Sequence, residues 1–150
     1  MHESIHREWL KLIKHLQTKE ELLEGFQVLK ELRPHLTEDT FIEIYETMQK
    51  EGYELYVYVE KEEIVAVTGI IMLTNFYDGR HIYVYDLVTK NTARSNGYGE
   101  KLLTYIEGLG KERGCEKVTL SSGLPRVDAH RFYEKKMDYD KTSYVFRKEL

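Results

Sequence analysis

Apolar residues recur at two different spacings along this chain, and the change of spacing divides it. Between Thr18 and Lys50 they fall three and four apart, with Leu22, Phe26 and Leu29 in one run and Phe41, Ile44, Tyr45 and Met48 in the next. That is the repeat of helices with one face in a core. Thr18 followed by Glu21 forms a capping box that opens the first helix, and Pro34 stops it after Leu32. The second helix is predicted from about Thr37 to Lys50, with Gly52 as its C-terminal stop. The segment before Thr18 is ambiguous. Ile5, Trp9, Leu12 and Leu16 fit a helical stripe, whereas Leu10, Leu12 and Leu16 fit a strand face.

After Gly52 the period shortens to two. "YELYVYVEK" alternates and is rich in Tyr and Val, "IVAVTGIIMLTNF" reads as a longer and more buried strand, and "HIYVYDLVT" as a third. Glu62-Glu63 and Asp78-Gly79 mark the reversals, the second being a strong hairpin signal. These three strands form an antiparallel meander. A helix then uses Leu102, Leu103, Ile106 and Leu109 and ends at "KERGC". "KVTLSS" follows as a strand, "VDAHRFYEKK" as a short helix and "TSYVFRKEL" as a last strand. The order predicts an α+β fold, an α/β sandwich in which helices cover the faces of a twisted sheet.

Composition narrows the field without naming a function. A chain of 150 residues is expected to be one domain, 1–150, large enough to bury a core without metals or disulfides. A net charge of −4 argues against nucleic acid or an anionic membrane as a partner. Cys115 is the single cysteine, so no internal disulfide forms, and a buried structural thiol is its expected role. The N-terminal "MHESIHREWLKLIKHL" lacks the apolar core of a signal peptide, and no run approaches the ~20 apolar residues that span a bilayer. A soluble, cytoplasmic chain is expected. His2 and His6 stand at helical spacing, but no third ligand is evident and no metal is implied.

Gly97 and Gly99 lie where the third meander strand hands over to a helix. Glycines at such a junction let backbone N–H groups turn toward an anion, and the helix dipole behind them favours negative charge. A dinucleotide fingerprint fails here, because Leu102 occupies the third glycine position and seven residues separate Thr89 from Gly97. A P-loop fails for want of Gly-Lys-Ser/Thr. Arg94-Ser95-Asn96-Gly97-Tyr98-Gly99 does fit R-x-x-G-x-G. With "DLVT" upstream and "AHRFYEKK" downstream, in that order and spacing, the chain from about Thr18 to its C-terminus resembles the GCN5-related N-acetyltransferase (GNAT) family.

The resemblance implies a mixed sheet beginning with an edge strand, which makes Leu12 to Gln17 a candidate for that strand. It implies acetyl-CoA as cosubstrate, with the pyrophosphate on the backbone N–H groups of Asn96 to Gly99 and Arg94 adding positive charge at the loop's start. Arg94, Ser95, Asn96, Gly97, Tyr98 and Gly99 are thus expected to bind the cofactor. Leu87, Val88 and Thr89 are expected to pair through their backbone with the pantetheine arm, where one N–H would polarise the thioester carbonyl. Arg126 stands where the family often has asparagine; it faces CoA phosphate, an anionic substrate group or solvent. Asp138, in "MDY" where the family often closes its helix with "G-F", is expected to take the left-handed turn.

Direct attack by an amine on a thioester needs a neutral amine and a protonated leaving thiolate. Tyr133, in "RFYEKK", is the implied acid, although with twelve tyrosines in the chain most must be packing residues. Asp86 is the implied base. It could equally bind the substrate ammonium or close a structural hydrogen bond, and His130 is a second relay candidate on the helical face of Tyr133. The expected activity is N-acetyl transfer to a primary amine of a small molecule. A CoA-binding sensor without turnover and a protein N-terminal or lysine acetyltransferase are the alternatives, and a homodimer is open. The helices from Leu22 to Lys50 are expected to roof the acceptor pocket, with Glu31, Arg33, His35, Glu43, Tyr45 and Glu46 as lining candidates.

Overall fold

The computed structural model of the protein describes residues 8–150. Ile5, His2 and His6 therefore lie outside the described residues. Two compact units are distinguished, one up to Thr119 and one from Leu120 to Leu150.

The first unit carries a five-stranded sheet in the order β1-β2-β3-β4-β5. Its strands are β1 (Ile13–His15), β2 (Glu54–Glu60), β3 (Glu63–Asn75), β4 (Gly79–Thr89) and β5 (Lys117–Leu120), the last ending at the boundary of the units. The first four run antiparallel to their neighbours, Ile13 facing Tyr58, Glu54 facing Ile70 and Asn75 facing Gly79. The sheet as a whole is mixed. The ambiguous N-terminal segment resolves into both of its readings, since a 3-10 turn over Glu8–Leu12 leads into the edge strand β1.

The β2–β3 reversal is centred on Lys61-Glu62, one residue earlier than "Glu62-Glu63". Glu60 pairs with Glu63, and both turn residues take positive φ, 50° and 65°. Positive φ at both central positions is the geometry that lets a two-residue hairpin follow the sheet's twist, here built without glycine or asparagine. At the β3–β4 turn Gly79 takes φ 65° and the Asp78 N–H donates to Asn75 Oδ1 at 2.6 Å.

Helices α1 (Lys19–Leu29) and α2 (Glu38–Lys50) each begin at a threonine with a complete capping box, Thr18 with Glu21 and Thr37 with Thr40. The second box uses a threonine at the reciprocal position and escaped the sequence pattern. Leu22, Phe26, Val28 and Leu29 of α1 join Phe41 and Tyr45 of α2 over Leu55, Val57 and Val67 of the sheet. Ile44, expected on the inner face of α2, is 48% exposed. Phe41 and Tyr45 lie four apart and suffice to fill that stripe, the Phe41 ring stacking on Phe26 at 4.8 Å. Helix α3 (Tyr98–Glu112) buries Leu102, Leu103 and Ile106, each contributing roughly 1.5–3 kcal/mol by leaving water. Its Gly110 lies so near the sheet that a Cβ would stand 3.1 Å from Ile82 Cδ1. Cys115, past the end of α3, is half-buried rather than buried.

The second unit holds α4 (Val127–Arg131), a π-helical turn over Phe132–Lys136 and an irregular C-terminus. Asp138 takes φ 61°, the left-handed turn expected of it. The last predicted strand does not form: residues 141–150 make no ladder, and Tyr144, Val145 and Phe146 are 78%, 66% and 92% exposed. Alternation gives a segment the faces of a strand, but a strand exists only with a partner for its backbone.

Thr18→Ala removes the acceptor for the Glu21 N–H, a 3.2 Å bond, and should lower the unfolding free energy by about 1 kcal/mol. Urea denaturation checks this, and an unchanged midpoint would show that the box adds nothing to α1.

Candidate functional site

The site begins with an irregularity in β4. Gly69 pairs with Asp86 and Ile70 with Val84, so Tyr85 is an extra residue that β3 does not oppose. Such a bulge bends the strand and leaves one residue's backbone outside the ladder. Asp86 follows it, 8% exposed, and burying a carboxylate costs several kcal/mol unless donors meet it.

Two side chains far away in sequence do so. Asp86 Oδ1 accepts from Arg33 Nε at 3.0 Å and Oδ2 from the Tyr53 hydroxyl at 2.7 Å. Arg33 Nη2 also donates to the Tyr85 carbonyl at 2.9 Å, so one guanidinium holds both the carboxylate and the bulged backbone. The Asp86 carbonyl accepts from buried Thr68 Oγ1 at 2.8 Å. Tyr53 reaches Asp86 only because residue 69 is glycine: a Cβ there would lie 1.6 Å from the Tyr53 hydroxyl. Burial, and next the Asp86 charge, push the Tyr53 hydroxyl well above its ordinary pKa. It therefore stays a donor at neutral pH.

Beyond Asp86 the backbone of β4 continues through Leu87, Val88 and Thr89, paired on one side with Thr68, Val67 and Ala66. On the other side β5 is short. The Glu116 N–H donates to the Arg80 carbonyl at 2.8 Å, fixing the start of β5 near the start of β4. A strand of 4 residues beside one of 11 covers roughly 13 Å at ~3.3 Å per residue. Leu87 to Thr89 extend past it.

Next comes the loop. Lys90 N–H donates to the Val65 carbonyl at 2.7 Å, a single 3-10 turn spans Asn91–Ala93, and Asn96 Nδ2 donates to the Ala93 carbonyl at 2.9 Å. Arg94 is exposed, its Nε 3.5 Å from the Thr89 carbonyl. Ser95 and Gly97 both take positive φ, 71° and 78°. Unlike α1 and α2, α3 has no side-chain cap at its N-cap residue, Gly97. The first N–H groups of a helix have no partner within it, so Tyr98 and Gly99 present amides at the positive end of the dipole. Among the described residues, a Cβ on Gly97 would meet no atom beyond its chain neighbours within 4 Å, so the space before the loop is open. A loop of this form suits a pyrophosphate. Tyr98 itself packs on Tyr58, ring centres 4.9 Å apart.

In the second unit Tyr133 sits in the π-turn, where the Met137 N–H reaches back to the Phe132 carbonyl at 3.0 Å. Burial raises the Tyr133 hydroxyl pKa and the Arg126 charge opposes part of that rise, which leaves a protonated phenol. Arg126 is exposed at the N-cap of α4, and His130 Nε2 is hydrogen-bonded to the Gly123 carbonyl at 2.9 Å. Among the described residues no three His, Cys, Asp or Glu side chains come together as a metal site, and no helix is long and apolar enough to cross a membrane.

Sequence reasoning missed the partners of Asp86. Arg33 was one of several lining candidates, and Tyr53 carried no signal that set it apart from eleven other tyrosines. Ser122 was missed too; its Oγ is buried without a hydrogen-bond partner among the described residues.

Residues 13–139 match the model of the Acetyltransferase (GNAT) family. Over 139 residues the chain is 41% identical to YhdJ, an uncharacterized N-acetyltransferase of Bacillus subtilis, covering 92% of this chain and 98% of that protein. It is 29% identical over 89 residues to the aminoalkylphosphonate N-acetyltransferase of Salmonella typhimurium, covering 59% of this chain and 57% of that one. Among solved structures, the aminoglycoside N-acetyltransferase AAC(6')-Iy in complex with CoA has a TM-score of 0.79 at 12% identity, over 92% of this chain and 93% of that one. The last is a likeness of fold.

Tyr53→Phe leaves Asp86 Oδ2 without its donor and should cost about 1–3 kcal/mol of stability. Denaturant unfolding at neutral pH checks this. A variant as stable as the parent would show that water replaces the phenol freely and that the clamp is loose.

Proposed function

The chain belongs to the GNAT family of acetyl-CoA-dependent N-acetyltransferases, and from that premise we propose that its acceptor is a small primary amine acetylated at the β4 bulge. The observation that carries the proposal is the buried Asp86 carboxylate immediately before residues 87–89, where the 11-residue β4 runs on past the 4-residue β5. Acetyl-CoA supplies a thioester carbonyl open to attack and a thiolate that departs.

In this reading the Tyr98 and Gly99 amides, with Arg94, Ser95, Asn96 and Gly97 shaping the loop, hold the pyrophosphate. Leu87, Val88 and Thr89 hold the pantetheine through backbone hydrogen bonds, and an N–H at the bulge polarises the carbonyl oxygen. Asp86 keeps Arg33 and Tyr53 on one lone pair of each oxygen and has the others for the acceptor's N–H groups. It draws in the ammonium, takes one proton from it and releases that proton to solvent, leaving a neutral amine to attack the thioester carbon. Desolvation of that ammonium disfavours its charged form, which helps make the neutral amine available for attack. Tyr133, whose hydroxyl burial keeps protonated, gives its proton to the leaving thiolate, a role assigned from the "AHRFYE" motif. Arg126 adds positive charge for CoA phosphate.

The name of one relative supports the choice of acceptor, since aminoalkylphosphonates are small amino compounds. The test is a panel of small amines, polyamines, aminoglycosides and N-terminal peptides with acetyl-CoA, following free thiol and the acetylated product. Acetylation of a small amine is expected. Reaction of peptides alone would make this a protein acetyltransferase, and CoA binding with no product would favour a sensor. With the best acceptor, Tyr133→Phe should lower kcat by roughly 10²–10⁴-fold and leave CoA affinity near that of the parent. Unchanged turnover when chemistry limits the rate would reduce Tyr133 to a packing residue.

A further inference from the structure

Arg33 has more hydrogen-bonding capacity than its clamp uses. Of its five N–H bonds, one on Nε goes to Asp86 and one on Nη2 to the Tyr85 carbonyl. The other three make no hydrogen bond among the described residues, and 40% of the side chain is open to solvent. A planar guanidinium so held is pre-organised to take the two oxygens of a carboxylate or phosphonate.

Its charge is set against Asp86 at 3.0 Å, so the site presents a fixed pair, negative at the buried end and positive at the open end. Such a pair complements a molecule with the opposite arrangement of charges. A polycation gains at Asp86 and loses at Arg33. Beside the pair, Tyr85 is 40% exposed, its ring stacked on Tyr53 at 6.0 Å and tilted against Tyr83 at 5.3 Å. The Tyr85 ring, supported by buried Tyr53, gives the short carbon chain of an acceptor an apolar wall.

We infer that the acceptor is zwitterionic: a small primary amine whose carbon chain carries a carboxylate or phosphonate, with the ammonium at Asp86 and the anionic group on the free edge of Arg33. This rests on the transfer reading above and makes Arg33 the residue that sets acceptor specificity.

The experiment compares 2-aminoethylphosphonate and β-alanine with propylamine and spermidine as acceptors, in the parent and in Arg33→Gln. In the parent, kcat/KM for at least one anionic amine should exceed that for propylamine by roughly 10- to 100-fold, the range of a charge-assisted hydrogen-bonded pair. Which anionic amine leads separates carboxylate from phosphonate. Arg33→Gln should collapse that ratio, mainly through KM of the anionic amine, and the ratio cancels any general loss from a loosened clamp. Arg33→Lys, which restores charge without the fork, should return part of it. Preference of the parent for propylamine or spermidine would overturn the inference, as would an Arg33→Gln variant that slows all acceptors in proportion.

Calorimetric titration of 2-aminoethylphosphonate and β-alanine into CoA-saturated protein separates this inference from the reading beneath it. Binding that Arg33→Gln loses, with no acetyl transferred, keeps the anion site and sinks the transfer reading. Acetylation of propylamine with no binding of either anionic amine does the reverse.

Discussion

A carboxylate buried in a sheet has to be paid for with donors, and Asp86 organises its surroundings accordingly. Its Oδ2 requires the Tyr53 hydroxyl, and that hydroxyl fits only over a residue without a side chain, Gly69. Its Oδ1 requires Arg33, which comes from the turn after α1 and ties that turn to the Tyr85 carbonyl. A second tie runs the same way, from the Asn91 N–H to Glu31 Oε1 at 2.8 Å. The connection between α1 and α2 is thereby fixed to both the bulge and the loop after β4. Removing a donor from this buried carboxylate costs more than the bond contributes when whole, because the charge is left unpaired.

The second constraint is one of length. β4 outruns β5, so the end of β4 keeps backbone groups that the sheet does not use, and the open loop of Ser95 and Gly97 lies next along the chain. Helix α3 starts there without a side-chain cap, while its apolar face is driven into the core by Leu102, Leu103 and Ile106. Burial holds the helix in place, which frees its N-terminus for a ligand. In the proposed reading, cofactor and acceptor would sit on neighbouring stretches of one strand, on either side of the Tyr85 bulge.

What could be read from the sequence was what is local. The Thr18 box, the stripe of α3 and the left-handed Asp138 each depend on residues within a few turns of one another, the meander follows from two-residue periods joined by short turns, and each appears in the structure. R-x-x-G-x-G was readable because the strand before it and the helix after it could be recognised by period. The Asp86 clamp was not, since its members are 53 and 33 residues away, and no pattern in the chain couples Tyr53 to Gly69. The Lys61-Glu62 turn was misplaced by a residue because neither amino acid advertises positive φ. "TSYVFRKEL" was read as a strand because alternation reports which faces a segment has, without reporting whether a partner strand exists.

If the clamped carboxylate is where the amine gives up its proton, removing its charge must slow the chemical step itself. The direct measurement is kcat against pH with saturating acetyl-CoA and the best acceptor, for the parent and for Asp86→Asn, with folding of the variant confirmed by its unfolding curve. The account predicts that Asp86→Asn lowers kcat by roughly 10²-fold or more across the pH range in which the variant stays folded. An unchanged kcat, or a change confined to KM, would contradict it and leave Asp86 as a binding or purely structural group.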